Sequence, residues 1–337
     1  MLEKNKQTCM ALCGSHEQLF AIRPYTYTAG GAKGLDVLEV KNGPLCFTLM
    51  PGKCLDIAEM SYKGINIGYL AKTGLQGPLS ISNRWNDADK GHMGGLMFTA
   101  GPENIGPACT IDERDYPGHG SFRFESANLL RYDIISREDE TVLTAGAQMR
   151  YSRSFGENIR LDRMISSVVG TSTLVIQDTI TNDGFLPTSM LMLYHCNFGY
   201  PLLAPNAKLY MDEIPTPRDQ QAEFGLHRWS EYGEAVPGKP EEVFCYESRH
   251  QVGMDCATIW NADVQLGVRV QFSVDTLPYL YIWKTEASGD YALGLEPANA
   301  SILGRRYYED NAQAMPNLQA GESKQMTIKL DIIDKMP

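Results

Sequence analysis

Helical periodicity is scarce in this chain of 337 residues. No long window keeps apolar residues at the i, i+3, i+4, i+7 spacing of an amphipathic helix, which excludes a helical bundle. Long apolar runs are missing too. None approaches the 18 or so residues of a membrane-spanning helix, so no membrane partner is expected. The first residues, MLEKNKQTCMALCGSHEQ, carry two lysines with no apolar segment behind them. A secretory signal is therefore not expected, and a cytoplasmic location is. Positive charge is in deficit: 30 Lys and Arg stand against 41 Asp and Glu, a net charge of −11. Such a chain lacks the basic surface that a nucleic-acid backbone demands. The eight cysteines form no CxxC pair, and a chain of this length needs no disulfide staples. Cys9 and Cys13 lie close together without further ligands nearby, so reduced thiols are expected and a zinc site is not. Internal repeats and low-complexity tracts are absent. No HxH pair occurs, and neither a metal nor a cofactor is expected.

What is present is strand. LCFTLM (45–50), TVLTAGAQMRYSRSF (141–155), NIRLDRMISSVV (158–169) and STLVIQDTITND (172–183) show full or partial alternation. In the last of these Leu174, Ile176 and Ile180 share one face, and Asp178 interrupts it. TIWNADVQLGVRVQFS (258–273) reads as a hairpin turning at Asn261, Ala262 and Asp263. YLYIWK (279–284), YALGLEP (291–297) and KQMTIKLDII (324–333) follow. Many strands, short turns and few helices define an all-β chain, an antiparallel sandwich or barrel. Two long stretches, 72–95 and 202–242, read as loops, and their Trp, Arg and His residues argue for function rather than disorder. The expected organisation is an N-terminal arm over 1–20 and one domain over 21–337.

Three segments place a titratable residue among glycines or at an expected strand end. In MLMLYHCNFGYPLL (190–203), Met190, Met192 and Tyr194 suit a core, and His195 stands where the strand gives way to a turn. In YPGHGSFR (116–123), His119 lies between two glycines, which let a backbone approach a ligand. In LGLEPAN (293–299), Glu296 follows an apolar run and precedes a proline. A carboxylate there is costly unless paired or at work, and Pro297 predicts a strand end or edge. Each residue also admits a plain reading. His195 and His119 could be satisfied structural histidines, and Glu296 could be half of a structural ion pair. His16, His92, His227 and His250 lack any such context and read as surface or loop residues.

The ordered set LCFTLMPGKCLDIAEMSYKGINIGYL (45–70), GGLMFTAGPENIG (94–106), GHGSFR (118–123), LMLYHCNFGYPLL (191–203), PTPRD (215–219) and YLYIWKTEASGDYALGLEPAN (279–299) resembles the galactose mutarotase (aldose 1-epimerase) superfamily. More closely, it resembles a branch of that superfamily labelled only as a domain of unknown function, DUF4432. The resemblance implies a galactose mutarotase-like β-supersandwich of two large antiparallel sheets. It implies that His195 matches the general acid, Glu296 the general base and His119 a substrate-binding histidine. The branch often shows GLHGRIS where this chain has PGHGSFR, which moves the arginine to Arg123. It often shows PDRGMDI where this chain has PGKCLDI, which puts Lys53 at the arginine position. The aspartate with which mutarotases bind sugar hydroxyls has no clear counterpart.

The implied reaction interconverts sugar anomers. A base removes the O1 proton, an acid protonates ring O5, the ring opens, C1–C2 rotates and the ring closes on the other face. The base and the acid are expected on opposite sides of the sugar. Asn104, Asp56, Arg218 and Trp283 are further candidate binders. Lys53 or Arg218 could meet a carboxylate or phosphate on the substrate. The expected partner is a small sugar or sugar derivative, and a homodimer is possible. Two other functions are compatible with these residues: a metal-dependent sugar isomerase or epimerase, with His119, His195, Glu296 and Asp56 as ligands, and a non-catalytic carbohydrate-binding protein on the same scaffold.

Overall fold

The computed structural model describes residues 11–78, 93–137 and 140–336. The expected strands form, several at nearly the expected bounds: Leu45–Met50, Thr141–Ser152, Asn158–Val168, Thr173–Asn182 and Ser323–Ile333. They build two antiparallel layers. The larger has eleven strands and runs, in spatial order, Ala21–Thr26, Asp36–Lys41, Leu45–Met50, Asp56–Tyr62, Met97–Ala100, Leu193–Phe198, Asp290–Ala298, Tyr279–Ala287, Glu242–Glu247 and Thr216–Pro217, with Ile65–Asn66 paired beside Asp56–Tyr62. The smaller has eight: Lys208–Tyr210, Met254–Asn261, Leu266–Ser273, Ser323–Ile333, Thr173–Asn182, Asn158–Val168, Thr141–Ser152 and Asn128–Ser136.

Alternation along each strand sends every second side chain between the layers. Leu45, Phe47 and Leu49 meet Leu161, Ile176 and Ile328 there in one continuous core. Met190, Met192 and Tyr194 belong to it, as their spacing predicts. The other face of the large sheet carries a second, smaller cluster that includes Phe98, Leu193, Tyr281, Ala298 and Ile302.

Asp178 interrupts its apolar face because it has a partner. Arg163 pairs with it across the adjoining strand, and the guanidinium grips its carboxylate through two nitrogens at 2.9 and 2.7 Å. The remaining N–H groups of Arg163 go to Asp56 Oδ1, the Cys54 carbonyl and Thr99 Oγ1. Tyr194 donates its hydroxyl to Asp178 at 2.7 Å. A buried ion pair is tolerable only when its lone pairs and protons are satisfied in this way.

Three expectations need correction. His195 does not stand at a strand end: it is the third residue of the six in Leu193–Phe198. Glu296 lies inside Asp290–Ala298, a central strand, not at an edge. Pro297 is accommodated because the ladder to Leu193–Phe198 opens there: pairing at Leu193 and Ala298 resumes only at Cys196 and Leu295, and proline has no N–H to contribute. The 202–242 stretch is not structureless. It holds the strands Lys208–Tyr210 and Thr216–Pro217 and the helix Gln220–Gly225, capped by Asp219 through the Ala222 N–H. These elements are too short for periodicity to reveal. Of the 72–95 stretch, residues 79–92, including His92, lie outside the described residues.

Candidate active site

The site lies on the outer face of the large sheet and grows from strand register. His195 is paired with Phe98 on one side. The register on either side of the open ladder sets His195 opposite Glu296, which is itself paired with Tyr281. Four side chains thus line up across four strands, because cross-strand partners project to the same face. Tyr194, one residue earlier, points into the core for the same reason.

His195 Nε2 stands 3.0 Å from Glu296 Oε1, and both residues are buried, 8% and 2% exposed. The contact is close but is not aligned as a hydrogen bond, and Glu296 Oε1 accepts none. Gly294 makes room for the pair. A Cβ there would fall 2.6 Å from Glu296 Oε1 and 3.1 Å from His195 Cε1, so only glycine fits without moving one partner. Burial pushes the Glu296 carboxyl well above the usual carboxylate range; the nearby Glu241 carboxylate adds to the rise and Arg218 opposes it.

Aromatic rings fix the imidazole. Phe98 stacks on it at 4.5 Å between centroids, and Trp283 meets it edge-on at 5.7 Å. His119 approaches at 5.5 Å, nearly perpendicular. Its backbone has φ +59°, a left-handed conformation uncommon outside glycine. The loop is locked there by His119 N–H to the Gly106 carbonyl and Gly101 N–H to the His119 carbonyl, both 2.9 Å. Arg123 donates to the Gly118 carbonyl at 3.1 Å and lies against the rings of Phe98 and Phe124.

These groups face a cavity of about 830 Å³, a size suited to a small ligand. Of the residues singled out from sequence, His195, Glu296, His119, Arg123, Arg218 and Trp283 line it. Three do not. Asp56 is turned into the core, bound to Arg163 and Thr99. The Asn104 amide donates to the Pro107 and Pro117 carbonyls and accepts from Arg305 N–H, all at 2.9 Å, tying three loop segments together. Lys53 is buried beside Asp56 and Arg123, and desolvation lowers its ammonium to about 8 against the pull of Asp56.

Sequence reasoning missed Glu241, Asn197, Phe98 and Gly294. Glu241 joins two of the candidates: it accepts from Trp283 Nε1 at 2.7 Å and from Arg218 at 3.3 Å. Nothing in GKPEE distinguishes it from a solvated charge. Asn197 carried a signal, since it lies two residues from His195 and so shares its face. One further expectation is overturned. His195 and Glu296 do not flank a space; at 3.0 Å they form one wall of the cavity. Among the described residues, no three or more His, Cys, Asp or Glu side chains are grouped to hold a metal ion. No helix among them is long and apolar enough to cross a membrane.

Two stacked antiparallel sheets with a cavity on the outer face of the larger one define the galactose mutarotase-like fold. Solved structures that share it include the following three. One is a protein of Klebsiella pneumoniae provisionally named an aldose 1-epimerase, with TM-score 0.88 and 21% identity over 95% of this chain and 86% of that one. A galactose mutarotase-like protein of Clostridium acetobutylicum has TM-score 0.61 and 12% identity, over 95% of this chain and 100% of that one. A galactose 1-epimerase of Lactobacillus acidophilus has TM-score 0.57 and 10% identity, over 94% and 100%. Identities this low speak for the fold alone. No curated protein matches the chain. The family model described as Domain of unknown function (DUF4432) matches residues 32–332, and the chain belongs to that family.

Proposed function

We propose that this protein is a cytoplasmic aldose 1-epimerase-like isomerase acting on a small sugar by acid–base catalysis. The observation that carries the reading is the buried His195–Glu296 contact on the wall of the cavity. O1 and O5 of a pyranose are both attached to C1, so one wall can serve both. Glu296 takes the O1 proton while His195 gives one to O5; the open aldehyde rotates about C1–C2, and the transfers reverse on closure. The reaction leaves the pair with the same proton count it began with. A base works best when its pKa lies near the operating pH, and the raised Glu296 carboxyl suits that role. His119 and Arg123 orient the sugar, Trp283 offers an apolar face, and Arg218 with Glu241 presents polar partners to hydroxyls. Asp56, Lys53 and Asn104 support the site without contacting substrate.

The test is mutarotation followed by polarimetry or NMR on freshly dissolved single anomers, across neutral aldoses, uronates and sugar phosphates. The reading expects one class to equilibrate faster with enzyme, with the acceleration lost in Glu296→Gln and kept after prolonged chelation. Tight sugar binding without any acceleration would instead establish a carbohydrate-binding protein. Loss on chelation with recovery on adding a divalent ion would establish a metal-dependent isomerase.

A further inference from the structure

The cavity wall carries a polar residue beside the proposed pair. Asn197 follows His195 by two residues in Leu193–Phe198, so the two share the outer face. The register sets Asn197 opposite Gly294 and Gly294 opposite Trp283. Gly294 has no side chain, and a Cβ there would stand 3.1 Å from Trp283 Cβ as well as against Glu296 and His195. The row Asn197, Gly294, Trp283 is therefore a trough with a bare floor, running beside the row His195, Glu296, Tyr281.

Asn197 lines the cavity and is 1% exposed. Its amide nitrogen donates to two main-chain groups, the Gly95 carbonyl at 3.0 Å and the His195 carbonyl at 3.2 Å. These carbonyls fix the orientation, because turning the amide over would set oxygen against oxygen. Among the described residues, no donor reaches Oδ1. A buried acceptor without a donor is costly, and a few such polar groups are what orient a ligand in a pocket.

We propose that Asn197 is a substrate-binding residue that selects for a free hydroxyl on C3 or C4 of a neutral aldohexopyranose. The inference rests on the reading that His195 and Glu296 hold O5 and O1. Neighbouring rows on one face lie about 7 Å apart along a strand. With C1 over the pair, Asn197 therefore serves the far side of the ring, not C2. An amide oxygen only accepts hydrogen bonds, so its partner must bring a proton. A hydroxyl does so; a methyl ether or an anionic group at the same place does not. Trp283 bounds the other side of the trough, where the apolar face of the sugar can lie. The charges on the rim are matched in pairs, Arg218 with Glu241 and Lys72 with Asp290, which favours a neutral sugar.

The experiment is isothermal titration calorimetry with D-glucose, D-galactose and D-mannose and the 3-deoxy and 4-deoxy forms of each, on wild type and Asn197→Ala. Melting curves check that the variant folds, and Asn197→Ser replaces it if it does not. Wild type is expected to bind at least one parent sugar, and to bind one of its deoxy forms roughly 5- to 150-fold more weakly, the effect of an unmatched acceptor. The variant is expected to bind that parent more weakly and to lose most of the discrimination. A residue that only braced the strand would weaken parent and deoxy forms alike, so an unchanged ratio in the variant would overturn the proposal. So would a wild type that binds no parent sugar, or one that binds both deoxy forms as tightly as the parent. Mutarotation of the parent is followed in parallel. Discrimination through Asn197 without acceleration would end the enzymatic reading and keep this one; acceleration without discrimination would do the opposite.

Discussion

Two buried ionic clusters lie on opposite sides of the strands Met97–Ala100 and Leu193–Phe198, and they are built on opposite principles. On the inner face, Arg163 has every N–H group engaged, and Asp178 holds both the guanidinium and the Tyr194 hydroxyl. On the outer face, His195 and Glu296 are almost as deeply buried, yet their contact is misaligned and Glu296 Oε1 accepts no hydrogen bond. The first arrangement leaves nothing to react. The second leaves a carboxyl whose pKa burial raises beside an open cavity, and half-satisfied groups of that kind are where function concentrates. Satisfaction, rather than burial or charge, separates the structural ions from the pair proposed as catalytic.

The contrast breaks most visibly under substitution. Glu296→Gln is expected to cut kcat by roughly 10²–10⁴-fold with little change in KM, and to leave the fold intact. A variant keeping more than about a tenth of wild-type kcat would remove the outer cluster from the chemistry. Asp178→Ala is expected to do the reverse. It strands a buried guanidinium, which costs about 3–5 kcal/mol, while the folded fraction keeps its specific activity. Thermal or urea unfolding paired with an assay of the folded enzyme would reveal any failure of that separation.

The pH dependence sharpens the comparison. A carboxyl whose folded pKa is raised binds more protons in the native state than in the unfolded one. Its burial therefore costs nothing below the unfolded pKa, and stability falls as pH rises from there through the folded value. Glu296 is such a group. Glu296→Gln is thus expected to melt higher than wild type at pH 8, with the gap closing toward pH 4. Equal melting temperatures at both pH values would mean that the Glu296 carboxylate is not penalised. The acid limb of kcat is likewise expected above the ordinary carboxylate range of about 4.3, as an apparent value belonging to the His195–Glu296 pair.

Smaller effects probe the supports. Gly294→Ala places a methyl group 2.6 Å from Glu296 Oε1 and is expected to lower kcat more than stability, since the neighbour that must move is the proposed base. Asn104→Ala removes three hydrogen bonds from loop segments and is expected to cost about 1–3 kcal/mol with KM nearly unchanged. A large rise in KM would instead return Asn104 to the substrate's surroundings.

His119, His195 and Glu296 stood out in the sequence because each breaks a local pattern: a histidine between glycines, a histidine ending an apolar alternation, a carboxylate ending an apolar run. Trp283 and Arg218 were legible only as residue types suited to sugars. Asp56 and Asn104 looked equally suitable, yet one faces Arg163 and the other ties loops together. A polar residue near a motif does not reveal which face it takes until the register of its strand is known. Glu241 was invisible for the same reason: its partners Trp283 and Arg218 lie far from it in the chain.

Alternation and turn residues alone determined the all-β class and the bounds of several long strands, because a period of two is a local property and survives in one dimension. They also determined that Met190, Met192 and Tyr194 would be core. Which strands adjoin was decided only by tertiary structure. The pairing of Leu193–Phe198 with both Met97–Ala100 and Asp290–Ala298 sets His195 between Phe98 and Glu296, about 100 residues away in either direction. No local propensity encodes that meeting. It follows from closing long loops around one shared core, where the burial of the inner faces chooses the register and the outer face inherits it.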